Sequence, residues 1–197
     1  MNEKPDVTLI SSSPLLSHFG KQISKKMESV AIRKGLQVVT NEKVIDIHNN
    51  VLLTNKKREI RHSQVLWLTG PIADPLFRTS NLPVCDDGFL LVKETLQNVK
   101  FPFIFGAGDC VTIRKYNLLP KNGVYAVKQG PILWGNINRY LVDDSGLPFK
   151  PQKNFLAILS TGNKEALLTY GKWCLHGNFA WRFKNRIDQK FMRKFLI

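Results

Sequence analysis

Phe103-Ile-Phe-Gly-Ala-Gly-Asp-Cys110 reads as a short apolar strand that stops on two glycines and presents one carboxylate, Asp109, at its tip. Gly106 and Gly108 have no Cβ, so a ligand or another stretch of backbone can approach closely there. In open α/β sheets ligands bind beyond the carboxyl ends of the strands, which is where this reading puts Asp109. The other reading of the same residues is a Gly-rich turn with Asp109 as a helix cap or turn residue.

Outward from this stretch, the chain alternates strands and helices. Thr112 to Lys121 reads as a connection, and Val124 to Leu141 reads as a helix with Val127, Leu133, Ile137 and Leu141 sharing one face. Gly130-Pro131 falls inside it, where proline removes an amide donor and predicts a kink or break. The amino end of that helix, at Asn122-Gly123, offers free amides and the positive end of a dipole. Upstream, Cys85-Asp-Asp-Gly88 turns into a strand over Phe89–Val92, after a loop from Pro71 to Pro83. Gln64-Val-Leu-Trp-Leu68 is nearly continuous apolar, the pattern of a strand buried on both faces. It ends at the turn Thr69-Gly70-Pro71.

The amino-terminal third reads as strand Val7–Ile10, helix Gly20–Lys34 and strand Leu36–Val39, with Ile23, Met27, Val30 and Ala31 at helical spacing and Gly35 as the helix stop. Strand, helix and strand within about thirty residues imply parallel pairing through a right-handed crossover. Val44–His48, Val51–Leu53 and Glu59–Arg61 form a three-stranded meander, with Asn49-Asn50 as a tight turn. Beyond a linker from Val142 to Lys153, Phe155–Leu159 and Ala166–Tyr170 predict a hairpin around Thr161-Gly-Asn-Lys164. From Lys172 to Ile197 there are seven basic residues (Lys172, Arg182, Lys184, Arg186, Lys190, Arg193, Lys194) against one acidic, Asp188. Phe183, Ile187 and Phe191 recur every four residues, so this tail predicts a basic amphipathic helix.

Overall charge is lopsided, with 29 Lys plus Arg against 15 Asp plus Glu in 197 residues, a net of +14. An anionic membrane surface or an acidic partner suits that balance. The basic tail packs on its own domain or attaches to an anionic membrane as monotopic helices do. Nucleic acid ranks third, since no recognisable binding motif accompanies the basic and aromatic residues. Cys85, Cys110 and Cys174 are far apart, with no C-x-x-C, so neither a zinc knuckle nor a dithiol pair is signalled. The spacing suits a reducing compartment. His18, His48, His62 and His176 show no metal-ligand spacing and read as surface or turn residues, with no metal site. No apolar run approaches the ~18–20 residues of a spanning helix, and we expect a cytoplasmic protein, with peripheral attachment to the inner face of the membrane as the alternative.

Trp67-Leu-Thr-Gly70, Asp87-Gly-Phe-Leu-Leu-Val92, Ile104-Phe-Gly-Ala-Gly-Asp-Cys110 and Pro120-Lys-Asn-Gly-Val-Tyr-Ala-Val-Lys-Gln-Gly130 stand in the order of the pyridine nucleotide–disulfide oxidoreductase superfamily. They most resemble its type II NADH dehydrogenase branch. The tail Trp181-Arg-Phe-Lys-Asn-Arg-Ile-Asp-Gln-Lys-Phe-Met-Arg-Lys-Phe195, with Phe155–Gly162, is similar to the flavoproteins associated or fused with selenide, water dikinase. The resemblance implies an α/β protein with two Rossmann-like dinucleotide-binding domains, FAD in one and NAD(P)H in the other, and hydride transfer from NAD(P)H through FAD to a small-molecule electron acceptor. It implies that Asp109 bonds the flavin ribitol, with Gly106 and Gly108 beside it. Val124, Tyr125 and Ala126 match the helix start by the flavin ring, where the positive dipole end stabilises the anionic reduced flavin. Thr69, Gly70, Lys121 and Gln129 are weaker candidates beside the flavin or the acceptor. The catalytic residues stay unknown.

This chain departs from the family pattern in lacking both G-x-G-x-x-G turns, one for FAD and one for NAD(P)H. Ser11-Ser-Ser13 stands where an acidic residue often holds the adenosine ribose. These departures lead to the expectation of a carboxy-terminal fragment, inactive alone, whose partner is the missing amino-terminal half and whose intact parent is an NAD(P)H:acceptor oxidoreductase. Residues 1–70 would be part of an NAD(P)-binding domain, 71–145 the closing part of an FAD domain, and 146–197 a small α+β unit of hairpin and basic helix. A non-enzymatic interaction module, docking through its basic tail on a membrane or protein, is the competing expectation.

Overall fold

The computed structural model describes residues 5–152 and 156–193. They fall into two compact units, one formed by Trp67–Gln152 and the other by the residues on either side of it.

The flanking unit opens with strand β1 (Val7–Ser11), helix α1 (Lys21–Arg33) and strand β2 (Leu36–Thr40). β1 and β2 are parallel, Val7 facing Leu36 through Ser11 facing Thr40, as the crossover pattern predicts. α1 buries Ile23, Val30 and Ala31 on the predicted face. It stops where Gly35 takes a left-handed φ of +87° and its amide bonds the Ile32 carbonyl at 2.9 Å. β3 (Val44–His48), β4 (Val51–Thr54) and β5 (Glu59–Arg61) form the expected antiparallel meander, turned at Asn49 with φ +40°.

One buried carboxylate, Glu42, ties this region together. Its Oε2 accepts from Thr54 Oγ1 at 2.9 Å and Arg58 Nε at 3.1 Å, its Oε1 from Arg58 Nη2 at 3.0 Å, and its own amide donates to the Ser11 carbonyl at 3.2 Å. The Arg58 guanidinium holds the Glu42 carboxyl below its ordinary pKa. A buried charge is tolerated only when paired in this way.

The central unit contains the short helix α2 (Leu76–Thr79), strands β6 (Leu90–Val92) and β7 (Val111–Ile113), paired in parallel, and helix α3 (Gly123–Leu141). Phe89, Leu90, Val92, Leu96, Val111, Ile113 and Phe149 form its core. Back in the flanking unit, β8 (Ala157–Gly162), β9 (Glu165–Tyr170) and β10 (Trp173–Gly177) make an antiparallel sheet in the order β10-β9-β8. Helix α4 (Asn178–Met192) lies against it, chiefly over β9. The β8–β9 hairpin turns as predicted, with positive φ at Asn163 and Lys164. Phe155, Lys194 and Phe195, which the sequence reading placed in the hairpin and tail, lie outside the described residues.

Several expectations are corrected. Gln64–Leu68 is not a strand, and Leu66 and Leu68 are 85% and 89% exposed. An apolar run becomes a doubly buried strand only between hydrogen-bonded neighbours, and no described strand pairs with it. Phe103–Phe105 is not a strand either. Asn98 Oδ1 accepts from the amides of Lys100 and Phe101 at 3.0 and 3.1 Å and bends the chain at Pro102, which leaves Phe103 64% exposed. The strand follows the Gly-Asp motif as β7, so Asp109 sits in a single 3-10 turn leading into a strand rather than beyond the end of one.

Thr112–Lys121, read as a plain connection, carries the end of β7 and a second such turn, Arg114–Tyr116. α3 runs unbroken through Pro131, and its buried positions are Tyr125, Gln129 and Asn136, while Val127 and Leu141 are exposed. Polar groups win that face because they have partners: Asn136 Nδ2 donates to the Thr95 and Leu147 carbonyls, both at 2.8 Å, and its Oδ1 accepts from the Leu147 amide at 2.6 Å.

The same bonds pin the expected linker. Phe149 is fully buried, edge-on to Tyr125 with centroids 6.5 Å apart, and its amide donates to the Glu94 carbonyl at 2.8 Å. The tail begins with β10 rather than with helix, because Gly171 (φ +57°) lets the chain fold back onto β9. His176, read as a surface residue, is half-buried on β10, its Nε2 3.0 Å from Thr161 Oγ1 and its Nδ1 3.5 Å from Arg33 Nη2. His62 is also half-buried, and neither ring nitrogen has a partner among the described residues.

Candidate functional site

The central unit holds a pocket lined by Gly108, Asp109, Thr112, Lys121, Tyr125, Ala126 and Gln129, among others. Four pieces of chain build it: the turn before β7, β7 itself, the segment that leads into α3, and the first two turns of α3. The turn forms because Ala107 is extended and Gly108 then takes φ +79°, a left-handed conformation that glycine adopts without strain. A Cβ added at Gly108 would lie 3.6 Å from the Ala126 Cβ, so the turn lies close beside α3. The Gly108 amide donates to Gln129 Oε1 at 2.6 Å. Asp109 is exposed at the pocket lip, and its carboxylate has no hydrogen bond among the described residues.

α3 starts at a side-chain cap, where Asn122 Oδ1 accepts from the Tyr125 amide at 3.2 Å. The remaining first-turn amides have no partner within the helix and form its partly positive end. Lys121, one residue before the cap, turns inward. Its Nζ donates to the Val111 carbonyl at 2.6 Å and to Thr112 Oγ1 at 3.4 Å, and lies 3.7 Å from the centre of the Phe89 ring. Burial pushes its ammonium pKa down, against the charges of Cys85, Asp109, Cys110 and Asp87. Cys85 Sγ lies 3.4 Å from the same Thr112 hydroxyl. Burial pushes that thiol up, but the Thr112 hydroxyl and the Phe89 and Asp87 backbone outweigh it, and the net direction is down.

Six of the ten residues singled out in the sequence therefore meet at one pocket: Gly108, Asp109, Lys121, Tyr125, Ala126 and Gln129. The other four lie elsewhere. Gly106 is partly buried against β6 and β7, where a Cβ would meet Val111 Cγ1 at 2.6 Å and Leu90 Cδ2 at 3.0 Å. Val124 is exposed on the first turn of α3, and Thr69 and Gly70 are exposed in the segment before α2. Sequence reasoning missed Thr112 and Cys85 as neighbours of Lys121, and nothing in their spacing signals it. It also missed the buried face of α3, although Tyr125, Gln129 and Asn136 recur at intervals of four and seven, which is helical spacing.

The residues fit part of a flavin. An exposed carboxylate beside a left-handed glycine and a helix start can accept hydroxyl donors and face an electron-rich ring. The glycine-rich turn that would hold a dinucleotide pyrophosphate is absent from the sequence. Among the described residues no three His, Cys, Asp or Glu gather as metal ligands.

Comparison with known proteins agrees with the architecture. A probable NADH dehydrogenase of Dictyostelium discoideum is 24% identical over 175 residues, which cover 85% of this chain and 37% of the relative. The sulfide:quinone oxidoreductase of Aquifex aeolicus superposes over 95% of this chain and 49% of its own, with a TM-score of 0.74 at 18% identity. NDH2 from Plasmodium falciparum, in complex with NADH, superposes over 94% of this chain and 54% of its own, with a TM-score of 0.65 at 18% identity. This chain thus spans about a third to a half of the length of these proteins. The fold is the mixed α/β, Rossmann-like architecture of FAD/NAD-binding oxidoreductases. The family model for the pyridine nucleotide-disulphide oxidoreductases matches residues 2–130, and the chain belongs to that family.

Proposed function

We propose that the pocket beside Asp109 holds the ribityl and ring end of FAD, and that the intact protein moves a hydride from NAD(P)H to this FAD and its electrons to a small-molecule acceptor. The observation that carries the reading is the convergence of the Gly108–Asp109 turn and the amino end of α3 on one pocket. Bound FAD supplies the two-electron chemistry. The Asp109 carboxylate accepts hydrogen bonds from hydroxyls, and the α3 amides and Lys121 supply positive potential to the ring. Neither G-x-G-x-x-G turn occurs in these 197 residues, and we assign the pyrophosphate and NAD(P)H contacts to the glycine-rich parts of the family's two nucleotide domains. Ser11–Ser13 tolerates a 2′-phosphate better than an acidic residue would, and no arginine follows immediately to bind one.

The test is a flavin titration of the chain joined to those domains. Replacing Asp109 with Ala weakens FAD binding by about tenfold or more, the loss of charge-assisted hydrogen bonds at roughly 1.5–3 kcal/mol. Unchanged affinity, read from flavin fluorescence, would remove the assignment.

A second reading concerns the β10–α4 surface. Trp173 is 82%, Leu175 62% and Phe179 73% exposed, and the tail that carries them is rich in basic residues. Exposed aromatic residues within a basic field suit an anionic membrane surface. By contrast, Phe183, Ile187 and Phe191 are half-covered on a helix that packs on its own sheet. Selenide, water dikinase is a further candidate partner, on the resemblance of Trp181–Phe195 with Phe155–Gly162 alone.

A further inference from the structure

We infer that Gln129 is the positioning residue of the Asp109 turn: from inside α3 it holds Gly108, and through Gly108 it sets where the Asp109 carboxylate stands relative to the amino end of the same helix. What the turn holds rests on the flavin reading above; the clamp itself rests on geometry alone.

Gln129 is 3% exposed, a high degree of burial for a glutamine on a helix. Its Oε1 accepts the Gly108 amide at 2.6 Å, a side-chain hydrogen bond that joins α3 directly to the turn. At its exit the turn is also held by Lys121 Nζ on the Val111 carbonyl at 2.6 Å, just before the helix cap. The turn itself is a single 3-10 turn closed by the Val111 amide on the Gly108 carbonyl, and Cys110 Sγ reaches the Ala107 carbonyl at 3.2 Å. Those contacts are internal to residues 107–111 and do not fix the turn against the helix. The Gln129 bond does, reaching the turn from within α3 itself. Gln129 lies four residues after Tyr125, whose amide is capped by Asn122, so one helical face carries both the cap and the clamp.

This reading makes a chemical demand on position 129. The acceptor must be an oxygen at the reach of a Gln side chain. Glutamate keeps it, methionine keeps the length and removes it, and asparagine is too short by one methylene.

The experiment is amide exchange by NMR on the ¹⁵N-labelled chain, together with an FAD titration followed by flavin fluorescence. Gln129→Met accelerates exchange at Gly108 by about tenfold, the effect of losing one hydrogen bond of ordinary strength, while amides of β1 and β2 keep their rates. Gln129→Glu restores slow exchange. In the flavin-bound protein, Gln129→Met weakens FAD binding and Gln129→Glu does not. Unchanged Gly108 exchange in Gln129→Met overturns the clamp. Accelerated exchange with unchanged FAD affinity overturns its positioning role. If FAD binds no form and Asp109→Ala has no effect, the flavin reading fails, and the exchange data still decide the clamp.

Discussion

A methyl group added at Gly106 would stand 2.6 Å from Val111 Cγ1 and 3.0 Å from Leu90 Cδ2, closer than Cβ atoms approach in folded proteins. Both neighbours are buried on the paired strands β6 and β7 and cannot swing aside. Gly106→Ala is therefore expected to destabilise the central unit by about 1–3 kcal/mol through overpacking, seen as a lower midpoint in thermal unfolding. Its glycine serves the packing of its own strands, whereas Gly108, two residues on, serves a positive φ. At the same scale, His176 makes stability depend on pH. Burial lowers its folded pKa, opposed by Glu165 and reinforced by Arg33, Lys34 and Lys26. Unfolded His176 takes up its proton near the ordinary value of about 6.5, and the folded ring only at lower pH. The unfolded state then binds more protons below that value, so stability is full above it and declines as pH falls towards the folded pKa. The Glu165 carboxyl, held low by Lys34, acts with the same sign at more acidic pH. Urea midpoints are expected to drop between pH 7.5 and 5.5, and to drop less in His176→Asn.

Among the elements, α3 shows where propensity and packing part. Pro131 lacks the amide that would bond the Val127 carbonyl, yet the helix stays whole around it. The cost is absorbed by Tyr125, Gln129 and Asn136, which anchor the helix on both sides of the proline. Since Pro131 is exposed, Pro131→Ala restores a backbone bond without disturbing the buried face. It is expected to raise stability by about 1–3 kcal/mol, read as a higher thermal midpoint. The helix was legible in the sequence, and its buried side was not, because hydrophobic periodicity ranks residues by polarity and cannot foresee that Asn136 meets two carbonyls and an amide. α1 is the contrasting case. Ile23, Val30 and Ala31 are buried where their spacing says, since an apolar face needs no specific partner.

For the whole molecule, exposed apolar surface is set by which elements pack together. The tail was expected to pack its helix on its own domain or, alternatively, to attach to a membrane; α4 does pack on β8–β10, with Phe183, Ile187 and Phe191 about two-fifths exposed, and Trp173, Leu175 and Phe179 are more exposed still. If that surface meets anionic membranes, the chain sediments with phosphatidylserine vesicles at low salt, and Trp173→Ser with Phe179→Ser reduces binding by about tenfold or more, from the loss of buried aromatic area. Sedimentation unaffected by these changes would assign binding to charge alone. The sequence by itself determined the crossover β1–α1–β2, the meander, the β8–β9 hairpin and the Gly-Asp turn followed by a helix start, because each rests on residues near one another in the chain: a turn former, a cap, a local period. Only the tertiary structure decided that Gln64–Leu68 pairs with no strand among the described residues, that β7 follows Asp109 rather than preceding it, and that Gln129 reaches Gly108 across twenty-one positions. Pairing partners, buried polar contacts and the side chains beneath a glycine are brought together by the fold, and no short-range pattern encodes them.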